Sequence, residues 1–496
     1  MAYISKTDYV LWRECAKNAW LKLHRPDIFN AGELTEFEQS VIDAGIETEI
    51  LTRKLFPGGV VVTGSKSEAQ EKTAQLLDLN TPTLFQPVFE NESLLAAVDV
   101  LEFNAATGDY TIHEIKSSTG VQDEHLYDLA FQVVLLRKAG RRVSRACLLH
   151  LNPNYIRENE LDLERLFVSV DATDRVNQVA ERVAAEMVDA RTYLLADMEP
   201  KGPCSCIYRG RSRHCTTFRY SNPNVPEYGV HDIARIGTRA EILKQLVDAG
   251  ILTLDKIPSD IKLTAAQKIQ VQVYRSGETI IDKEGILRDF AELNFPFHFI
   301  DYETYAPAVP PFNGFGPYEH IPLQYSLDIV GSPGEDPIHC DFLHTGLDDP
   351  TLAFLDSLKK HVGTFGTIIV WNKSFESQVN DLIARRVPQA REYLAEVNDR
   401  MYDLKDIFAK QYFVHRDLLG KVSIKRVLPV LASMLTYSSL PIHSGAVASL
   451  AWSQLLSGEL NEKERAKLFR ELREYCALDS YGMVAIWRAL LALVDG

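Results

Sequence analysis

The hydrophobic pattern changes period several times along the chain. Leu11, Trp12 and Cys15, then Ala19, Trp20 and Leu23, fall at helical spacing, and Phe37 to Phe56 continues as a second helix closed by Pro57-Gly58-Gly59. From Val60 to His150 the pattern is strand-like, with strands expected at Gly59–Val62, Leu84–Phe89, Leu94–Phe103, Tyr110–Ser117 and Arg145–Leu151. A helix near Leu126–Ala139 precedes the last of these, and residues 173–197 form another. Between 228 and 275 two short helices are expected around Ala249-Gly250-Ile251 and Lys256-Ile257-Pro258. Such a unit is either a plain helical hairpin or a helix–hairpin–helix that sets backbone amides against phosphate. A new α/β pattern begins at Phe295, with strands at Phe297–Tyr302, Leu323–Val330 and Thr367–Trp371. Helices follow at Phe375–Arg385, Glu462–Leu472 and Arg473–Leu493, and no breaker separates the last two.

The expected fold class is therefore α/β in three parts: residues 1–220, a helical bridge over 221–285, and residues 286–496. The length of 496 residues agrees with about three domains. A 46% apolar and 24% charged composition excludes a largely disordered chain. No signal-peptide h-region follows Met1-Ala2-Tyr3 and no uncharged apolar run reaches membrane-spanning length, so a cytoplasmic protein with no membrane partner is expected. The formal charge of −15 argues against nucleic acid, but it is unevenly spread. Residues 201–275 hold 12 Lys+Arg against 6 Asp+Glu, and 201–220 carries Lys201, Arg209, Arg211, Arg213 and Arg219 with no acid. That stretch is either a phosphate-tracking surface or a solvated loop.

Three groups of residues carry candidate chemistry. In Thr111-Ile112-His113-Glu114-Ile115-Lys116, Glu114 and Lys116 share one face of a strand, and Asp99 on a neighbouring strand can meet them. Two carboxylates suit Mg²⁺ or Mn²⁺, and a lysine beside them can orient water and offset phosphate charge. An isolated Glu-x-Lys is ordinarily a salt-bridged surface. The preceding acid, the apolar flanks and the following helix give this one the order of a PD-(D/E)XK nuclease core, which it resembles. The resemblance to RecB-like members adds Gln132, in Phe131-Gln132, as a site residue and Glu47, in Gly45-Ile46-Glu47, as a further metal ligand. Leu136 stands where these enzymes usually have Tyr, and Ile46 where they often have His.

Cys204, Cys206 and Cys215 lie within twelve residues, too irregular a spacing for a zinc ribbon. A 4Fe–4S cluster needs four thiolates, and Cys15 is the natural fourth. One Cys before the nuclease core and three after it is the arrangement of iron–sulfur RecB-like nucleases, where the cluster staples the two ends of the domain. Zinc, free thiols and a degenerate site are the alternatives. Cys147, Cys340 and Cys476 sit in apolar contexts, as core thiols do.

Phe297-His298-Phe299-Ile300-Asp301-Tyr302-Glu303-Thr304 is an apolar strand ending in Asp-x-Glu. Glu376 opens a helix after a buried strand, and Tyr475 and Asp479 are four apart on a late helix. Four carboxylates from separate elements suit a two-metal site of Mg²⁺ or Mn²⁺, with Tyr475 positioning the water. The ordered set resembles the DEDD exonucleases of the RNase H-like fold in their Tyr-x₃-Asp subclass, with Glu376 where Asp is usual. Asp403 is a further candidate acid, and Ser423-Ile424-Lys425-Arg426 resembles the helix start that follows it there.

With Tyr3-Ile4-Ser5-Lys6, Leu55-Phe56-Pro57-Gly58-Gly59, Glu114-Ile115-Lys116-Ser117-Ser118 and Tyr475-Cys476-Ala477-Leu478-Asp479, the chain is similar to a bacterial family of unknown function. That family joins an iron–sulfur RecB-like PD-(D/E)XK domain to an RNase H-like DEDD domain. The resemblance implies a metal-dependent nuclease, most simply an exonuclease, with two sites. Its substrate would be DNA, with RNA as the alternative, in end processing for repair, recombination or defence. The competing expectation is a nucleic-acid-binding scaffold with decayed sites. No G-x₄-G-K-[ST] string occurs, which excludes an attached P-loop motor. Protein partners are not legible.

Overall fold

In the computed structural model, which describes residues 3–30 and 36–495, the chain is a mixed α/β protein with several sheets. Met1, Ala2 and the side chain of Phe37, which entered the sequence reading, lie outside the described residues. Contacts divide the chain into two compact units, Met1–Val225 with Ala308–Tyr318, and Pro226–Pro307 with Glu319–Gly496. The stretch expected as a separate bridge over 221–285 thus clusters almost entirely with the second unit. It has an apolar centre of its own, formed by Val230, Ile236, Leu243, Leu246, Leu254 and Val271.

The first unit is built on a six-stranded sheet. Its order is Val60–Val61, Thr83–Phe85, Val100–Asn104, Asp109–Lys116, Val143–Leu151 and Phe167–Asp171. Asp109–Lys116 and Val143–Leu151 are parallel and joined through the helix Asp123–Lys138, whereas the strands flanking this pair are antiparallel to it. Helix Asp123–Lys138 is buried from Asp128 to Leu136 and packs on the helix Thr173–Leu194. Two strands expected to be continuous are broken at one level. Leu84–Phe89 turns at Gln86, which has a positive φ of 54°, and Leu94–Phe103 breaks at Val98-Asp99. Their far halves, Val88–Asn91 and Leu94–Ala97, pair with each other and with Ile4–Ser5 in a separate three-stranded sheet. Gln86 N–H donates to the Asp99 carbonyl at 3.2 Å and Val98 N–H to the Pro87 carbonyl at 3.0 Å, so both strands change sheet together. This break sets Asp99 at the end of the strand that runs beside Glu114.

The second unit has a five-stranded sheet in the order Ile338–Leu343, Ile321–Val330, Phe297–Tyr305, Thr367–Val370 and Met401–Asp403. The first three strands are antiparallel, and Phe297–Tyr305, Thr367–Val370 and Met401–Asp403 run parallel. Phe297–Tyr305 is central and almost wholly buried, which explains its near-continuous apolar run. The late apolar pattern is one unbroken helix, Glu462–Asp495. By length and composition it could cross a membrane, but half of its most apolar stretch is buried. Trp487 on it packs edge-on against Phe295 and Phe297, as in a core helix.

Candidate metal centres

Cys15 is the single residue between the helices Lys6–Glu14 and Ala16–His24, and its extended backbone ends one and opens the other. Cys204 and Cys206 flank the start of a short 3₁₀ turn, Ser205–Tyr208. The Cys15 and Cys204 sulfurs each lie 3.8 Å from that of Cys215, and all four sulfurs fall within 4.8 Å of one another. Cys15, Cys204 and Cys206 are buried. The two ends of the unit are tied around them. Asn18 Oδ1 accepts from the Thr217 hydroxyl at 2.7 Å and the Thr217 N–H at 3.3 Å. The Lys17 ammonium donates to the Gly202 carbonyl at 2.8 Å, and Asn222 Nδ2 donates to Cys204 Sγ at 3.1 Å. Four converging soft donors in a buried pocket can hold a metal ion or an iron–sulfur cluster.

The acids of the first unit meet as well. Glu114 is 1% exposed, and both its oxygens are engaged. The Lys6 ammonium reaches them at 2.8 and 2.9 Å, Lys116 reaches one at 2.8 Å, and Gln132 Nε2 donates to the other at 2.7 Å. Asp128, one helical turn before Gln132, takes the Lys116 ammonium at 2.5 Å. Asp99 accepts the Ile115 N–H at 2.8 Å and Gln86 Nε2 at 3.2 Å, with the Lys6 ammonium 3.8 Å away. Burial, then the charge of Glu114, pushes the Asp99 carboxyl up to about 7. Gln132 Oε1 is buried without a hydrogen-bond partner among the described residues. Asp99, Glu114, Lys116 and Gln132 are therefore together. Glu47 is not brought in: it is exposed on the helix Glu36–Arg53, and no contact joins it to Asp99 or Glu114 among the described residues. From the same helix it is Glu49 that connects, accepting from Gln86 Nε2 at 2.6 Å. Sequence reasoning missed Lys6 and Asp128. Lys6 enters the sequence reading only within the string Tyr3-Ile4-Ser5-Lys6, and Asp128 reads as one acid among many.

In the second unit, Asp301 and Glu303 project from one face of the central strand, paired across to Ser326 and Gln324. Oxygens of Asp301, Glu303 and Asp479 lie within 4.8 Å of one another, a set able to hold a metal ion. Glu376, in the first turn of the helix Lys373–Arg386, is 2% exposed, and its Oε2 has no hydrogen-bond partner among the described residues. Burial, then repulsion from Asp479, lifts the Glu303 carboxyl to about 8, and burial lifts Glu376 to about 8. Asp301 is driven well above the usual range by burial and by Asp479, Glu303 and Glu376. Asp479 rises only to about 6, because burial is opposed by a hydrogen bond from Tyr437 and by Lys425. The Tyr437 hydroxyl donates to Asp479 at 2.5 Å. Tyr475 is buried beside it, ring centres 6.2 Å apart, and the Lys425 ammonium stands 5.2 Å from the Tyr475 ring centre. Tyr437 was not legible in the sequence, and Lys425 only as part of a helix-start string. Asp403 stands close enough to Glu376 for its charge to help raise that carboxyl. It accepts the Lys373 and Lys405 N–H groups, each at 3.1 Å, and so caps the helix that carries Glu376. Buried carboxylates with an orphaned oxygen fit a hard cation.

Residues 298–423 match a family model described as a domain of unknown function, DUF2779. The match takes in Asp301, Glu303, Glu376 and Asp403, and stops short of Tyr475 and Asp479. The chain is distantly similar to the uncharacterized protein MG366 of Mycoplasma genitalium, 27% identical over 211 residues. It is equally similar to the uncharacterized MG366 homolog of Mycoplasma pneumoniae, 27% identical over 206 residues. Each match covers 38% of this chain and 31% of the relative.

Proposed function

We propose that this protein is a metal-dependent nuclease that hydrolyses phosphodiester bonds of DNA, with RNA as the alternative substrate. In this reading the first unit is PD-(D/E)XK-like and the second RNase H-like of the DEDD kind. The observation that carries the proposal is the convergence of Asp301, Glu303 and Asp479, with Glu376, its Oε2 unpartnered among the described residues, close enough for its charge to raise Asp301 and Glu303. Ionising carboxyls buried this closely is costly, and a bound cation offsets that cost. Asp301, Glu303, Glu376 and Asp479 would hold Mg²⁺ or Mn²⁺, which supplies an activated water and charge stabilisation at phosphorus. Tyr437 fixes the rotamer of Asp479 through its hydrogen bond. Tyr475, on the turn before Asp479, orients the attacking water, and Lys425 adds positive charge beside the phosphate.

For the four cysteines, the 3.8 Å sulfur contacts favour a single ion. Zinc at about 2.3 Å from each of four tetrahedral thiolates separates the sulfurs by about 3.8 Å. A 4Fe–4S cluster places an iron between each thiolate and its centre and requires wider spacing. Metal analysis and an absorbance spectrum of anaerobically purified protein separate the two.

The hydrolytic reading is tested on end-labelled single- and double-stranded DNA and RNA with Mn²⁺. Cleavage is expected, with a loss of about 10²-fold or more in Asp301→Asn if only the second site is active. Tight binding of ends without products in Mn²⁺ would replace the proposal with the scaffold reading.

A further inference from the structure

Lys6 stands where a cation would be expected in the first acidic site. Its ammonium contacts both oxygens of Glu114, at 2.8 and 2.9 Å, and lies 3.8 Å from Asp99 and 3.9 Å from Asp128. Lys116 reaches Glu114 and Asp128. Among the described ion pairs, then, Lys6 is the one that bridges Asp99 and Glu114, the two acids expected to bind metal. Lys6 is also held in place. Ile4 and Ser5 pair with Leu94 and Leu95, and Ser5 and Asp8 form a reciprocal capping box at the start of the helix Lys6–Glu14. The other end of that nine-residue helix is fixed by Cys15. A lysine so anchored is not a surface side chain that happened to fold inward.

We propose that Lys6 is the resident counter-ion of this site, and that it and a divalent cation occupy the same position and exclude one another. Three carboxylates, Asp99, Glu114 and Asp128, face two ammoniums, Lys6 and Lys116, which leaves one negative charge when all are ionised. A divalent ion added with Lys6 in place would reverse that charge. With Lys6 withdrawn, the same ion brings the cluster to neutrality. Lys6 thus keeps the buried acids from repelling one another in the absence of metal, and it raises the cation concentration at which the site fills. The inference rests on reading Asp99 and Glu114 as a cation site.

The test is Mn²⁺ binding by calorimetry and electron paramagnetic resonance on the full chain, with Asp301→Asn, Glu303→Gln and Asp479→Asn silencing the second site. Lys6→Gln is expected to bind Mn²⁺ at least tenfold more tightly than the parent, and more tightly than Lys116→Gln, which removes the same charge without vacating the Asp99–Glu114 position. Equal affinities for the parent and Lys6→Gln, or equal gains in the two lysine variants, would overturn the role of Lys6 while leaving the cation site standing. Absence of first-site binding in all of them, Lys6→Gln included, would overturn the cation site itself and the inference with it. A second measurement needs no change at Lys6. In the parent, acetylation of Lys6 followed by mass spectrometry should accelerate several-fold when Mn²⁺ is added, as the ammonium is expelled. An unchanged or slower rate in Mn²⁺-saturated protein would refute the exclusion.

Discussion

Replacing Cys15 by Ser tests whether the cysteine cluster staples the first unit. Cys15 and Cys204 are separated by about 190 residues, and a bridge between them through a shared ion closes the chain over that whole loop. Loop-closure entropy for a cross-link of this span amounts to about 5 kcal/mol. For a unit of this size, 1 kcal/mol moves the melting temperature by about 2–4 °C, so Cys15→Ser should lower it by about 10–20 °C. The assay is thermal and urea unfolding followed by circular dichroism, on the parent and on Cys15→Ser, each with its metal and after stripping by a chelator. Stripping should destabilise the parent about as much as the substitution does, and should have little further effect on Cys15→Ser, because both remove the same closure. Cys147→Ala provides the comparison: that thiol is 1% exposed in a core strand and should cost about 1 kcal/mol with metal content unchanged. The reasoning fails if metal-stripped parent unfolds at the same temperature as loaded parent, or if Cys15→Ser keeps both its metal and its stability.

Asn18→Ala strands the buried Thr217 N–H and leaves its hydroxyl only the Cys215 sulfur at 3.9 Å, and should cost about 1–3 kcal/mol by the shift in urea midpoint. In the second unit Glu303 and Glu376 titrate near 8 without metal, so both are largely protonated at pH 7. Mn²⁺ binding there should release protons at pH 7, and fewer as pH rises past about 8, read by calorimetry in buffers of different ionisation enthalpy; proton-neutral binding at pH 7 would contradict the assignment. Because these carboxyls are raised above their unfolded values, their contribution to metal-free stability is complete below about pH 4.5 and is lost as pH rises through about 8, and saturating Mn²⁺ should flatten that decline.

Short-range patterns settled a good part of the architecture. Period-2 and unbroken apolar runs located the central strands Asp109–Lys116 and Phe297–Tyr305, because strand faces and burial impose those patterns on neighbouring residues. The stretch after Glu462, expected as two helices with no breaker between them, is one helix, Glu462–Asp495. The i, i+2 geometry of Glu114 with Lys116 and of Asp301 with Glu303 is a local property, as is the i, i+4 stacking of Tyr475 and Asp479. What the sequence could not contain is the choice among equally spaced acids and lysines. Glu47 and Glu49 lie on one helix, and only the position of Gln86 at the sheet-switching break selects Glu49. Lys6 reads as an ordinary helix-start lysine, and Asp128 as one acid among many. Both become site residues because the pairing of Ile4–Ser5 with Leu94–Leu95 and the packing of the helix Asp123–Lys138 on the strand Asp109–Lys116 bring their side chains to the Glu114 site. Tyr437 meets Asp479 across 42 residues of chain, and Cys15 meets Cys215 across 200. Such meetings are set by core packing summed over the whole unit, and no local window of the sequence records that sum.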